Sequence, residues 1–258
     1  MKIRFMGTGA ADFSPLLTTE YKDQLDNNAR RSSSILINET YLVDCGPHVA
    51  DSFRIQGLDP AKVTDLLVTH FHGDHYNPEV IAAVAAARKA AGLDEPLRIW
   101  HRGDARPDAI ENCEFHPMEV GQTYEIGDLK VKALASNHDQ WPAHYDIEAD
   151  GKKLFYGCDG SWLLMATFYA MRQRKYDCMI LDATVGDYSG DFRLGEHNSI
   201  PMIRLMEASF RTENVIAQDG KLVLSHLART LHKPHEETAA LLGKEGYIVA
   251  FDGMELLV

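Results

Sequence analysis

The segment THFHGDH concentrates the side chains best suited to chemistry in this chain. Four of its seven residues are imidazoles or carboxylates: His70, His72, Asp74 and His75. These groups are the usual protein ligands of zinc. Alternate residues of a strand share a face, so His70 and His72 can point at one ion. A turn at Gly73 lets the next two ligands face a neighbouring ion. The spacing therefore predicts a metal centre for two ions, and a solvated polar loop is the competing interpretation.

The residues on either side of this segment predict elements that hold it in place. Residues 65–69, DLLVT, form a short apolar run, which predicts a buried strand that leads into the first histidine. Asn77 and Pro78 then supply a cap and a first-turn proline, and Gly92 supplies a stop, so a helix is predicted between them. The cluster is thus expected between a strand and a helix.

Strands and helices alternate through the rest of the chain. Short β-branched or aromatic runs predict strands at residues 2–6, 34–38, 41–44, 129–135, 145–149, 153–157, 178–182, 221–224 and 247–251. Capping signals predict helices at residues 162–174, from 198 or 199 to 210, and at 234–242. The polar, irregular residues 15–31 predict a long loop and a candidate part of a site. No linker-like composition separates the halves, so we interpret residues 1–258 as one domain in which helices cover packed sheets.

The composition limits the classes of partner that the protein can bind. With 26 Lys and Arg against 38 Asp and Glu, the 258-residue chain has a formal charge of −12. This balance disfavours a large nucleic acid as partner, because neutralising phosphates requires clustered basic residues. A small anionic substrate in a locally positive pocket remains compatible with it. No apolar run approaches the ~18 residues of a membrane span, no export signal is visible and the cysteines are scattered. We therefore expect a cytoplasmic protein without membrane association, for which a homodimer is an option.

The complete H-x-H-x-D-H pattern resembles the signature of the metallo-β-lactamase superfamily. The resemblance extends over essentially the whole chain, through GTGAADFSP, ARRSSSILI, YLVDCG and the closing VAFDGMELLV. It implies an α/β (α+β) fold, a four-layer αββα sandwich. In such a sandwich two mixed sheets pack face to face with helices outside, and the metals lie at one edge between the sheets.

The same resemblance implies three further ligands, each of which follows a predicted strand: His138, Asp159 and His226. It assigns one ion to three histidines: His70, His72 and His138. It assigns the other ion to a carboxylate and two histidines: Asp74, His75 and His226. Asp159 is expected to bridge the two ions. Imidazole and carboxylate ligands suit zinc, with manganese and iron as alternatives.

Two divalent ions close together would lower the pKa of a shared water from about 15.7 to about 7. The bridging hydroxide is then the expected nucleophile, and the motif implies that Asp74 aims it. His197, in GEHNSIP, resembles a histidine that the phosphodiesterase branch assigns to the substrate phosphate or the leaving group. We predict that His197 acts as general acid or phosphate contact, oriented by Asp182, Asp187 or Asp191. A surface histidine before a helix cap is the competing interpretation.

The opening GTGAADFSP, the GEHNS segment and the DGMEL ending look like one branch of the superfamily. That branch contains a cyclic-phosphate phosphodiesterase of phosphonate breakdown and the tRNA-trimming endonucleases. Neither the long tRNA-binding arm of the endonucleases nor a cysteine-rich insertion is evident here. We therefore predict a dinuclear metal-dependent hydrolase, a phosphodiesterase of small phosphodiesters or cyclic phosphates. A thioester or lactone hydrolase with the same metals is the alternative, and a binding module without turnover is a third.

Five other residues near the motifs receive more general interpretations. Asp44, at a strand end, is expected to orient the metal-binding loop, with a turn-forming role as the alternative. Arg30 and Arg31 are interpreted as a solvated pair in preference to phosphate ligands. His232 and His235 are candidates for the mouth of the site.

Overall fold

The computed structural model describes residues 1–103, 107–140, 142–188 and 190–258. The chain first forms six strands of one sheet: β1 (Lys2–Gly7), β2 (Ser34–Ile37), β3 (Tyr41–Val43), β4 (Asp65–Val68), β5 (Leu97–Arg102) and β6 (Cys113–Met118). It then forms a second sheet: β7 (Thr123–Ile126), β8 (Leu129–Ala135), β9 (Ala143–Ala149), β10 (Lys152–Gly157), β11 (Tyr176–Asp182), β12 (Ile216–Ser225) and β13 (Tyr247–Val249). The last strand, β14 (Glu255–Leu257), returns to the first sheet beside β1.

Both sheets are mixed. In the first, the order is β14-β1-β2-β3-β4-β5-β6, antiparallel up to β3 and parallel from β3 to β6. In the second, the order is β13-β12-β11-β10-β9-β8-β7, parallel up to β10 and antiparallel beyond it.

The helices are α1 (Val49–Ile55), α2 (Pro78–Ala90), α3 (Met165–Met171), α4 (Ile200–Thr212) and α5 (His235–Gly243). Within the described ranges, none of them has the length and apolar character needed to cross a membrane.

The side chains of each sheet alternate between two cores. In β4, Leu67 lies in the core between the sheets, whereas Leu66 and Val68 pack toward α1 and α2. In β11, Ile180 lies between the sheets, whereas Met179 packs toward α3, α4 and α5. This alternation follows from the twofold period of a strand, because each sheet is covered on both faces. The structure therefore has helix, sheet, sheet and helix layers, and the predicted αββα sandwich is confirmed.

The start and stop signals around α2 form the predicted contacts. Asn77 Oδ1 accepts a hydrogen bond from Val80 N at 3.1 Å, and Gly92, just beyond the helix, has a left-handed φ of +80°. This combination of cap and stop is typical of a helix whose two ends are set by local capping residues. The helix that follows the metal-binding segment is therefore fixed locally at both ends.

One predicted helix, at residues 162–174, is shorter in the structure. It begins only at Met165 and ends at Met171. Leu164, not Ser161, flanks its first turn, and no side chain caps it. The predicted start was therefore wrong, and the Ser161 hydroxyl instead joins the loop to Leu194 O by donating to it at 2.8 Å.

Residues 15–31 form the predicted long loop, with one short 3-10 turn at Pro15–Thr18. The interpretation of Arg30 and Arg31 as a solvated pair is wrong, since their residues are only 8% and 1% exposed. Arg31 donates from Nη2 to Tyr21 O at 2.6 Å and from its backbone N to Asp252 Oδ2 at 2.8 Å. A protein carbonyl thus replaces part of the water that a charged side chain otherwise requires.

Candidate metal centre

The proposed ligands meet at one edge of the two sheets. The segment that carries His70 follows β4 in the first sheet, whereas His138, Asp159 and His226 follow β8, β10 and β12 in the second. Those three strands of the second sheet run in the same direction, so their carboxyl ends lie at the same edge. The structure brings all seven side chains predicted as ligands into two groups that share Asp159.

The first group contains three histidines and Asp159. His72 Nδ1 lies 2.9 Å from His70 Nε2 and 3.1 Å from His138 Nε2. Asp159 Oδ2 lies 3.6 Å from His70 Nε2 and 3.5 Å from His138 Nε2. Two ligands bound tetrahedrally to one zinc ion are separated by about 3.4 Å, given bonds of about 2.1 Å. The four ligand atoms are therefore spaced as one ion would require.

The second group contains two histidines and two carboxylates. His75 Nε2 and His226 Nε2 are 3.1 Å apart, and Asp74 Oδ2 lies 3.4 Å from the former and 3.5 Å from the latter. Asp159 Oδ2 lies 3.5 Å from both nitrogens. The same carboxylate oxygen is thus nearly equidistant from the nitrogens of both groups, which is the position that a bridging ligand requires.

Each of these five histidines also has a hydrogen-bond partner on its outer ring nitrogen. The outer pairs are His70 Nδ1 with Thr69 Oγ1 (3.1 Å), His72 Nε2 with Asp139 Oδ1 (2.9 Å), His75 Nδ1 with Asp44 Oδ2 (2.8 Å), His138 Nδ1 with Glu196 O (3.2 Å) and His226 Nδ1 with Thr184 Oγ1 (2.7 Å). Carboxylates and carbonyls only accept, so the ring nitrogens facing them donate. The two threonine hydroxyls donate elsewhere, to Asp44 at 2.9 Å and to the carbonyl of His226 at 2.8 Å, so they too accept from the rings.

These outer contacts determine whether the inward ring nitrogen of each histidine carries a proton or a lone pair. A neutral imidazole has one N–H and one lone pair, so each inward nitrogen presents a lone pair when its outer nitrogen carries the proton. Lone pairs of His75 and His226 then face each other across 3.1 Å beside the carboxylate of Asp74. Such an arrangement is repulsive unless a positive charge lies within it. The residues therefore fit a divalent metal site, with outer partners of the kind that orient metal-binding histidines.

The pKa shifts of Asp74 and His75 also indicate that the centre favours positive charge. Burial disfavours the charged form of the Asp74 carboxyl, but His75 and His226 outweigh burial and hold its pKa below the usual range. Burial likewise opposes protonation of His75, but Asp74 and Asp44 raise the pKa of that imidazole well above its usual value. Asp44, which the sequence placed in a loop-orienting role, thus contacts a proposed ligand directly.

His197 lies beside the two groups. Its Nδ1 is 2.9 Å from Asp182 Oδ2 and 2.6 Å from Asp159 Oδ1. Burial lowers its pKa, but these two carboxylates raise it to about 11, so the ring carries a proton at neutral pH. Of the three acids proposed to orient it, Asp182 makes the contact, whereas Asp187 lies 3.4 Å from Arg204 and Asp191 lies 2.8 Å from Arg193.

A cavity of about 370 Å³ opens onto the centre. Its lining includes Asp74, Asp159 and His197, together with Arg193 and Glu196. His232 and His235, predicted at the mouth, line a separate neighbouring cavity instead.

Sequence reasoning missed four of the five outer partners: Thr69, Asp139, Glu196 and Thr184. Two of these four could have been found from the sequence. Thr69 and Asp139 are each adjacent in sequence to a proposed ligand, so their proximity was foreseeable. Thr184 follows a predicted strand end but meets a histidine 42 residues away, and only the fold reveals that contact.

Comparison with known proteins shows that the chain matches a family. Residues 39–213 match the model described as β-lactamase superfamily domain. Human zinc phosphodiesterase ELAC protein 1 is 25% identical over 148 residues, which are 55% of this chain and 36% of that protein. Ribonuclease Z of Methanothermobacter thermautotrophicus is 24% identical over 171 residues, 60% of this chain and 50% of that one. The matched segments thus span between a third and half of these relatives' lengths.

Solved structures show the same fold. The crystal structure described as a new diphosphatase from the PhnP family superposes with a TM-score of 0.73 at 17% sequence identity. The superposition covers 99% of this chain and 97% of that one.

Proposed function

The chain belongs to the β-lactamase superfamily, and within that family we propose a zinc-dependent phosphodiesterase with two metal ions that acts on a small phosphodiester or cyclic phosphate. The observation that carries the proposal is the position of Asp159 Oδ2, which lies 3.5–3.6 Å from four histidine nitrogens in two groups. A carboxylate shared in this way is what a pair of metal ions requires, and paired ions are typical of enzymes that cleave phosphate esters.

The relatives support phosphate chemistry in particular. The two curated relatives are named zinc phosphodiesterase and ribonuclease Z, and the superposed structure is described as a diphosphatase. All three names denote cleavage of a bond to phosphorus. The cavity of about 370 Å³ is near the lower end of the range for ligand pockets, which favours a small substrate.

We assign one ion to each group of ligands. One ion would be held by His70, His72 and His138, and the other by Asp74, His75 and His226, with Asp159 shared. Bound there, the ions supply Lewis acidity toward a phosphoryl oxygen and a water activated at neutral pH.

Two side chains of the chain itself have further roles in this proposal. Asp74, which lines the cavity, accepts a hydrogen bond from the attacking water and so orients its lone pair toward phosphorus. His197 uses Nδ1 to donate to Asp182, with Asp159 Oδ1 2.6 Å from the same nitrogen, which leaves Nε2 to donate its proton to the leaving oxygen. The carboxylate of Asp182 keeps the ring in this orientation, as an acidic partner does for other catalytic histidines.

A substrate panel tests the proposal. Purified protein supplemented with zinc or manganese is assayed against bis(p-nitrophenyl) phosphate, a thioester and a lactone. We expect the phosphodiester to have the highest kcat/KM, and we expect chelation to abolish its turnover. Faster turnover of the thioester or lactone would replace the phosphodiesterase with the alternative hydrolase. Absence of turnover with every metal and substrate, despite bound metal, would favour a binding module.

A further inference from the structure

The cavity over the metal centre is lined by four acidic residues, and three of them have a partner or a proposed role: Asp12, Asp74 and Asp159. Asp74 and Asp159 are proposed metal ligands, and Asp12 accepts a hydrogen bond from the backbone N of Arg229 at 2.8 Å. The fourth is Glu196. In the part of the chain that the structure describes, its exposed carboxylate has neither an ion pair nor a hydrogen bond. Glu196 is therefore the acceptor of this cavity that a substrate can use.

The backbone of Glu196 fixes its position beside the metal centre. Its carbonyl O lies 3.2 Å from Nδ1 of the proposed ligand His138, and its N donates to Arg193 O at 2.9 Å. The residue follows the 3-10 turn Phe192–Gly195 and directly precedes His197. Because the main chain makes both contacts, the side chain is not needed to build the centre and is available to a ligand.

The carboxylate of Glu196 lies close to the proposed proton donor. One of its oxygens is within 4.8 Å of a ring nitrogen of His197 and of a ring nitrogen of His138. Two hydrogen bonds of about 2.8 Å that meet at one oxygen atom with a tetrahedral angle span about 4.6 Å, so a substrate oxygen can fit between two groups at this separation. His197 is proposed to donate to the leaving oxygen. A substituent of the leaving alcohol is therefore within reach of Glu196.

The surroundings of Glu196 limit the chemistry of this substituent. Carboxylate oxygens only accept hydrogen bonds, so the substituent must be a donor. An anionic substituent would repel the carboxylate, and an apolar one would displace its water without replacing the hydrogen bonds. An ammonium group would be repelled by two cations that line the same cavity, the protonated ring of His197 and the guanidinium of Arg193. A neutral hydroxyl group satisfies all of these conditions.

We propose that Glu196 determines substrate specificity by accepting a hydrogen bond from a hydroxyl group next to the leaving oxygen. This inference rests on the proposed phosphodiesterase function and narrows its substrate class to esters of an alcohol that carries a further hydroxyl group. Esters without that hydroxyl are also disfavoured, because the unpaired carboxylate repels the anionic phosphodiester. Glu196 thus selects by attraction to one class of ester and by repulsion of the other.

The test uses two matched substrates and two variants. Both substrates are methyl p-nitrophenyl phosphodiesters. One carries a hydroxymethyl group ortho to the leaving oxygen, and the other carries an ethyl group of similar size there. The variant is Glu196→Ala, which removes the carboxylate. The control is Glu111→Ala, which removes an exposed carboxylate just before β6, at the edge of the first sheet opposite to the metal ligands.

The ratio of kcat/KM for the hydroxymethyl ester to that for the ethyl ester isolates the hydroxyl group. We expect wild type and Glu111→Ala to prefer the hydroxymethyl ester by about tenfold, the usual effect of a hydrogen bond to a charged group. In Glu196→Ala the preference should disappear, whereas metal content should stay unchanged because the backbone makes the contact with His138. The same ratio in Glu196→Ala and wild type, no preference in wild type, or loss of metal from Glu196→Ala would overturn the proposal.

The same two esters separate this inference from the proposed function. If wild type hydrolyses both at equal rates, the proposed function stands and the role of Glu196 fails. If wild type hydrolyses neither, the proposed function fails, and the two esters are then stable ligands whose shifts in Tm are compared for metal-loaded wild type and Glu196→Ala. A larger shift with the hydroxymethyl ester in wild type alone supports the contact with Glu196. Equal shifts with both esters in wild type would overturn it.

Discussion

At the scale of single residues, the inward lone pairs of the five histidines define the chemistry of the centre. The H-x-H-x-D-H spacing predicted which side chains would converge, because spacing along one segment is a local property. It could not show that Thr184 holds His226 at 2.7 Å, because that contact joins residues 42 positions apart. The outer partners are nevertheless as important as the ligands, since they fix which nitrogen faces the ion.

Replacing Thr184 by Val tests the outer contacts. The variant keeps the shape of the side chain but removes the hydroxyl that accepts from His226 Nδ1. We expect zinc affinity to fall by about 10- to 100-fold, measured by competition with a chromogenic chelator. Thr167→Val is the matched control, because that buried hydroxyl donates to Ala135 O away from the centre. Equal zinc affinity in the two variants would contradict the orienting role of Thr184.

Replacing His197 by Ala tests the proton donor. If Nε2 protonates the leaving oxygen, the loss should depend on how much the leaving group needs a proton. We expect kcat to fall by about 10²-fold or more for a phosphodiester with an alkyl leaving group, and far less for one that releases p-nitrophenolate. Metal content should stay unchanged. Equal losses for both substrates, or loss of metal, would assign His197 a different role.

At the scale of elements, the centre depends on close packing between two turns. An atom at the Cβ position of Gly46 would lie 1.9 Å from Asp74 O, so only glycine lets the YLVDCG turn meet the metal-binding segment. Asp44 and His226 adopt left-handed backbone conformations, with φ of 61° and 57°. Such conformations are uncommon outside glycine and are typical of residues held in place for function.

Gly46→Ala should therefore disturb both stability and the centre. The added methyl group collides with backbone, which cannot rotate away, so we expect a loss of about 1–3 kcal/mol in the free energy of unfolding and weaker zinc binding. Gly243→Ala is the control, since nothing lies within 4 Å of its Cβ position and it ends a helix. Chemical denaturation with and without zinc measures both effects. A Gly46→Ala protein as stable and as zinc-avid as the control would contradict this packing.

The elements themselves were predictable where their signals were local. The α2 helix has its cap and stop in its own sequence, and the β2–β3 hairpin follows from two apolar runs separated by a short turn. Strands β5, β6 and β7 were not predicted. β6, CEFHPM, lies at a sheet edge and is half exposed, so its residues lack the apolar pattern that marks a strand. Its place in the sheet comes from pairing with β5, which no local pattern encodes.

At the scale of the whole molecule, the centre joins the two halves of the sandwich. Four of the proposed ligands come from the loop after β4 in the first sheet, and three follow strands of the second. Periodicity predicted layered sheets and helices, but their order and the meeting of these strand ends were implied only by the resemblance to a known family. The net charge of −12 also hides a local difference, because the lining of the cavity that contains Arg30, Arg229 and Lys233 includes no carboxylate among the described residues.

Calorimetric titration of the metal-free protein with zinc tests whether Asp159 joins two metal sites. We expect wild type to bind two zinc ions per chain. We expect Asp159→Asn to bind both ions more weakly, because the amide replaces the oxygen shared by both ligand groups. Binding of one ion or none by wild type, or two ions bound with unchanged affinity by Asp159→Asn, would show that Asp159 does not bridge two metal sites.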